Sequence, residues 1–230
     1  EVQGLGDDHS LSFLVGNEVL ASKSDYTEIY GVGYPKGFTM DDAFGMINMT
    51  TPSLGQDYFK GEIGTPNHTL SWFGRANYSY KGKYLLTATF RADGSSKFAP
   101  SHQWGYFPAA AAAWRISDEA FMENTRDWLD NLKLRVSYGT SGSDNIDASL
   151  WRETWKTKQI TVDGEKVTTY VPGDMKGNPD LKWETTISRN LGVDFGFFNN
   201  WVRGSLDYYW NTTKNILMKV PIDAASGYSY

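Results

Sequence analysis

The sequence predicts an all-β chain of antiparallel strands, and three observations carry that expectation. Apolar and polar residues alternate with period two over successive segments, aromatics and glycines are abundant, and no run of about eighteen apolar residues is present to form a membrane-spanning helix. Two architectures satisfy all three. One is a segment of transmembrane β-barrel wall, whose strands need only about ten alternating residues each; the other is a soluble, non-enzymatic β-sandwich of the kind that binds carbohydrate.

Taken in order, a weaker strand covers roughly His9 to Leu20, with Leu11, Phe13, Val15 and Val19 in phase. From Thr69 to Tyr80, Leu70, Trp72, Gly74, Ala76, Tyr78 and Tyr80 share one face, opposed by Ser71, Arg75, Asn77 and Ser79. After Lys81-Gly82-Lys83 the pattern resumes with Tyr84, Leu86, Ala88, Phe90 and Ala92, which makes a hairpin. Between Phe107 and Ile116 the alanine run favours helix and the flanking aromatics favour strand; it is read as a strand with Pro108 near its start, where a missing N–H is tolerable. Ser117 is placed to cap a short helix carrying Phe121, Trp128 and Leu132 and ending near Asn131. Leu132, Leu134, Val136 and Tyr138 then alternate with polar neighbours. A second hairpin follows, Leu191, Val193, Phe195 and Phe197 turning at Asn199-Asn200 into Val202, Gly204, Leu206, Tyr208 and Trp210. That gives about seven strands.

The links between strands differ by parity. The long ones, 21–68 and 141–184, fall on one end, and the short turns near 81–83 and 199–200 fall on the other, as in barrels with long external loops and short periplasmic turns. The helical turn at 117–131 belongs with the short turns. Trp72, Tyr78, Tyr80, Tyr84, Tyr138, Trp201, Tyr208 and Trp210 lie toward strand ends on the apolar face, where either an interfacial girdle or a sandwich core would put them.

Chemistry is sparse. With 22 basic and 27 acidic residues the net charge is −5, which argues against a nucleic-acid-binding surface. The absence of cysteine excludes disulfide scaffolds, thiolate zinc sites and cysteine nucleophiles. His9, His68 and His102 sit in separate segments without metal-ligand spacing, and Gly139 to Ser143 lacks the order of a hydrolase elbow. Asp144, Asn145 and Asp147 bring hard oxygen ligands together, but they read as a solvated turn. Neither an enzyme nor a cofactor is expected. The long 141–184 link holds Trp151, Trp155, Tyr170 and Trp183, and Asp163-Gly164 within it reads as a hairpin turn. Those four rings suit either a concave aromatic ligand site or the packing of the loop itself.

Several longer phrases resemble one known family. They are Arg75 to Phe98 (RANYSYKGKYLLTATFRADGSSKF), Trp104 to Glu119 (WGYFPAAAAAWRISDE), Leu132 to Gly142 (LKLRVSYGTSG) and Gly177 to Thr186 (GNPDLKWETT) with Asn190 to Phe195 downstream. In this order they resemble the SusC/RagA-type TonB-dependent outer-membrane transporters. The resemblance implies that residues 1–230 are part of a C-terminal β-barrel domain of about 22 strands with an internal plug. It further implies the outer membrane of a Gram-negative bacterium, import of an oligomeric glycan or peptide, a SusD-like lipoprotein lid, and energy from the TonB complex. Neither a plug nor a TonB box is found in this stretch, so it is expected to be a segment from the later part of a barrel.

Overall fold

A computed structural model describes residues 6–30, 33–46 and 58–228. Its main element is a seven-stranded antiparallel sheet formed by β1 (His9–Ser22), β4 (Asn67–Tyr80), β5 (Tyr84–Ser95), β6 (Trp104–Arg115), β7 (Leu129–Ser143), β10 (Glu184–Phe197) and β11 (Val202–Lys214). Their order in the sheet is their order in the chain, interrupted by two excursions that form two-stranded sheets of their own: β2 (Asp25–Tyr30) with β3 (Tyr58–Ile63), and β8 (Trp155–Val162) with β9 (Glu165–Pro172). Residues 21–67 form a separate compact unit that also holds the helix α1 (Met40–Gly45). Thr39 and Asp42 close a reciprocal capping box on that helix, so six residues hold a helical turn.

The pairing register sorts every side chain to a face, because residues directly opposite one another point the same way. One row runs Trp114, Leu134, Val193, Leu206; the next runs Ala112, Val136, Leu191, Tyr208. The apolar face is therefore continuous from β4 to β11, and it is uncovered, with Trp72, Leu86, Phe90, Tyr106, Val136, Leu191 and Leu206 all exposed. A sandwich would bury this face beneath a second sheet, and the only other sheets among the described residues are the two small two-stranded ones. The chain is a segment of antiparallel transmembrane β-barrel wall.

The opposite face is polar and cross-linked. Arg135 on β7 grips Asp194 on β10 in bidentate fashion (2.9 and 2.8 Å) and reaches Asp207 on β11 at 3.1 Å. Gly192 lies beneath the guanidinium; a Cβ there would stand 2.5 Å from Asp207 Oδ1 and 2.8 Å from Arg135 Nη2, so a larger residue would push the Arg135–Asp207 contact aside. Arg91 does the same work on the other side, donating to Asp93 (2.6 Å), Ser71 (2.9 Å) and Glu18 on β1 (3.1 Å).

Two expectations need correction. The alanine run is a strand, as expected, but Pro108 is its fifth residue, not near its start; β6 pairs with β7 only from Ala109 onward, so the missing N–H falls where one neighbour has already left. The segment 117–131 is not an α-helix. It consists of two 3₁₀ turns, Ile116–Asp118 and Ala120–Thr125, after which β7 starts at Leu129. Ser117 does not cap it, since its hydroxyl turns to Asp118. These turns instead follow contacts at the short-turn end: Glu119 accepts from Trp114 Nε1 (3.0 Å) and Lys83 Nζ (3.3 Å).

Arginine placed at Val193 or Leu134 of the full-length protein should cost about 2–4 kcal/mol, and arginine at Ser137 far less. Denaturant titration of protein folded in vesicles measures both, and equal costs would mean that the two faces are equally dry. A second expectation concerns Glu119, whose carboxyl is held below its ordinary range by hydrogen bonds from Trp114 and Tyr84 and by Lys83. A depressed carboxylate stabilises the fold above its unfolded pKa and loses that contribution as pH falls through its folded value. Melting curves of the wild type should therefore fall more steeply below the ordinary carboxylate range than those of Glu119→Gln.

Candidate functional site at the loop-bearing end

Among the described residues, the few deeply buried apolar side chains gather largely where the long connections leave the sheet. Phe98, fully buried in the β5–β6 link, meets Trp183 with ring centroids 5.5 Å apart, and Phe107 meets the same indole edge-on at 5.5 Å. Ile146, Leu181 and Leu217, each from a different strand-connecting segment or its flank, pack around them. Gly105 is needed here, because a Cβ at that position would lie 2.5 Å from the Phe107 ring and 2.9 Å from Trp183.

Polar contacts tie the same segments together. Trp183 Nε1 donates to the Gln103 carbonyl (2.8 Å), Ser95 Oγ donates to Asp144 (2.7 Å), and Lys97 Nζ donates to the Asp144 carbonyl (3.0 Å). Asn178 binds the Leu150 carbonyl through its own N–H and caps Asp180 N through its side chain, while Glu184 accepts from Leu217 N. The phrase from Gly177 to Thr186 is thus a staple between four segments. Asp144 and Asp147 serve as anchors to Ser95 and Lys219, and no cluster of three potential metal ligands occurs among the described residues.

The structure divides the four rings singled out in the sequence. Trp183, 8% exposed, belongs to the packing just described, so it has no face to offer a ligand. Trp151 is half-buried and covered by the Arg152 guanidinium at 4.9 Å. Trp155 and Tyr170 are 62% and 72% exposed. They lie on β8 and β9, where Trp155 pairs with Pro172 and Tyr170 with Thr157, so the two rings are diagonal neighbours on one face of the hairpin. Asp163 and Gly164 turn that hairpin with φ of 52° and 86°, the left-handed pair of a type I′ turn. The sequence hid the part played by Phe98 and Phe107, because neither stands out from the many aromatics around it.

A membrane-barrel wall with a stapled loop platform at one end is the class of protein that these features define. The family model described as TonB dependent receptor-like, beta-barrel, matches residues 3–230, and the chain belongs to that family. It is 34% identical over 225 residues to TonB-dependent receptor P26 of Formosa agariphila, covering 98% of this chain and 22% of that protein. It is 35% identical over 173 residues to TonB-dependent receptor SusC of Bacteroides thetaiotaomicron, covering 72% of this chain and 17% of that protein. Among solved structures, the RagAB peptide transporter aligns with a TM-score of 0.80 and 25% identity over 98% of this chain and 24% of the compared chain. The chain therefore spans about a fifth of the length of the curated relatives it matches.

Replacing Trp183 by Ala should destabilise the loop-bearing end by about 3–5 kcal/mol, whereas Trp155→Ala and Tyr170→Ala should leave thermal stability unchanged. Heat-modifiability of the full-length protein on gels separates the two outcomes, and loss of stability at Tyr170 would place that ring in packing.

Proposed function

We propose that this chain supplies wall and ligand-facing loops to an outer-membrane importer of oligomeric nutrients, a glycan or a peptide, in a Gram-negative bacterium. The observation that carries this reading is the pairing of an uncovered apolar sheet face with an aromatic loop platform at one end, in a chain of the TonB-dependent receptor family. Its likeness to SusC and to the RagAB peptide transporter supports a surface lipoprotein lid of the SusD type and energy delivered by the TonB complex through parts of the protein outside this chain.

In this reading the 21–68 and 141–184 links are external, and the 81–83 and 199–200 turns and the 3₁₀ turns after β6 are periplasmic. Trp155 and Tyr170 present flat apolar faces that stack on sugar rings or peptide side chains. Trp183 holds together the segments from which the loops leave the sheet. The chain binds and guides, and carries no catalytic role.

Two measurements test the proposal. Cysteine at Asp163 of the full-length protein should react with an impermeant thiol reagent on intact cells, and cysteine at Gly82 or Asn200 should not; the opposite pattern inverts the topology. Trp155→Ala combined with Tyr170→Ala should weaken capture of the transported oligomer about tenfold, since each stacked ring contributes about 0.5–1.5 kcal/mol. Unchanged uptake at limiting nutrient would take the platform out of the site.

A further inference from the structure

Of the arginines and lysines on β4 to β7, β10 and β11, two have the parity of the apolar face: Arg189 on β10 and Lys214 on β11. Every other arginine or lysine on those strands has the opposite, polar parity. Arg189 sits in a transverse row with Tyr138 and Trp210, its direct partners on the two adjoining strands. Its guanidinium lies 5.7 Å from the Tyr138 ring centroid and 5.9 Å from that of Trp210, and donates to Thr212 Oγ1 at 3.3 Å. No carboxylate lies within ion-pairing distance of either cation among the described residues. Arg135 and Arg91 on the polar face, by contrast, hold two carboxylates each.

Height along the strand puts Arg189 toward the far edge of the apolar band. Phe197, stacked on Trp128 at the short-turn end, marks one boundary, and Phe195, Val193 and Leu191 follow on the same face. The eight residue steps from Phe197 to Arg189 rise about 27 Å along the strand and about 20 Å along the normal of a tilted barrel, which spans most of the ~25 Å apolar band. Beyond Arg189 the outward side chains are Ile187, Thr185, Thr212 and Lys214. Below it lies smooth apolar surface, Leu191, Leu206 and Tyr208.

We infer that Arg189, assisted by Lys214, binds the phosphate of a lipid in the adjacent leaflet, with the acyl chains lying over Leu191, Leu206 and Tyr208. A planar guanidinium held between two rings keeps a donor edge for phosphate oxygens, and a lipid is the one ligand whose anionic head and apolar tail match the vertical order of these residues. Under the topology proposed above, on which this inference rests, that leaflet is the outer one and the ligand is its phosphorylated glycolipid, lipid A. Lys214 lies on an edge strand, so Arg189, flanked by paired strands on both sides, carries the inference.

Native mass spectrometry of the full-length, detergent-purified protein decides the matter, with phosphorylated lipid A, the same lipid stripped of phosphate, and phosphatidylglycerol as probes. Wild-type protein should retain phosphorylated lipid A about tenfold more tightly than Arg189→Gln, the loss expected for one charge-assisted contact. Arg189→Lys, which keeps the charge but not the planar fork, should keep only part of the affinity, Lys214→Gln should lose part of it, and removal of the phosphate should erase the difference between variants. Equal retention by wild type and Arg189→Gln, or equal retention of the dephosphorylated lipid, overturns the inference. Preference for phosphatidylglycerol over lipid A overturns the choice of glycolipid. The Asp163 labelling stands apart from these results: with Asp163→Cys labelled, a failed lipid result sinks this inference alone; with it shielded, the topology fails and takes the lipid A assignment with it.

Discussion

A backbone in hydrocarbon has no water to bond to, and from that constraint the rest of this structure follows. Each unpaired N–H or C=O in lipid costs several kcal/mol, so every strand must have a neighbour along its length. The sheet meets this by the shortest route, a meander in which each main strand pairs with the next main strand in sequence. The solution is unfinished at β1 and β11, whose outer edges have no partner among the described residues. An unclosed sheet of this kind fits part of a wider barrel.

Once the backbone is satisfied, the pleat distributes the side chains, and this chain then has little use for a conventional core. The apolar face is solvated by lipid and the polar face is held by ion networks. Register, which a one-residue slip would invert, is fixed by arms that cross strands: Arg135 over Gly192 to Asp207, and Arg91 to Glu18. Most of the deeply buried packing left over is at the loop end, where Phe98, Phe107 and Trp183 join segments that the sheet cannot hold. A rigid base of this kind lets the loops above it differ without disturbing the wall.

Much of this was legible in the sequence because period-two alternation depends on the backbone alone. All seven main strands, the turn at Lys81-Gly82, the Asp163-Gly164 hairpin and the parity of link lengths could be read directly. The β2–β3 pair within the 21–68 link could not, since its residues carry no clear alternation. The stretch after Arg115 misled for a different reason: Ser117, Asp118 and Glu119 form a helix-start pattern, but Glu119 is drawn into hydrogen bonds with Trp114 and Lys83, and that tertiary pull tightens the turns to 3₁₀. At the candidate site, aromatic content pointed to four rings without ranking them. Burial separates them, and burial of Trp183 depends on Phe98 and Gln103, some eighty residues away in the chain, where no local pattern could show it.

The β8–β9 hairpin, like the β2–β3 pair, is not explained by these constraints. Two strands alone are marginal in water, and here β8 is exposed along its whole length. Its base is secured, by Gly173 N to the Thr154 carbonyl (2.7 Å) and by the Lys156–Asp174 ion pair, and its tip is set by a turn that needs no outside help. An element fixed at both ends and bare between them gains nothing for the wall. Its exposed Trp155 and Tyr170 face would be a liability in an isolated protein, and it becomes useful only when something covers it.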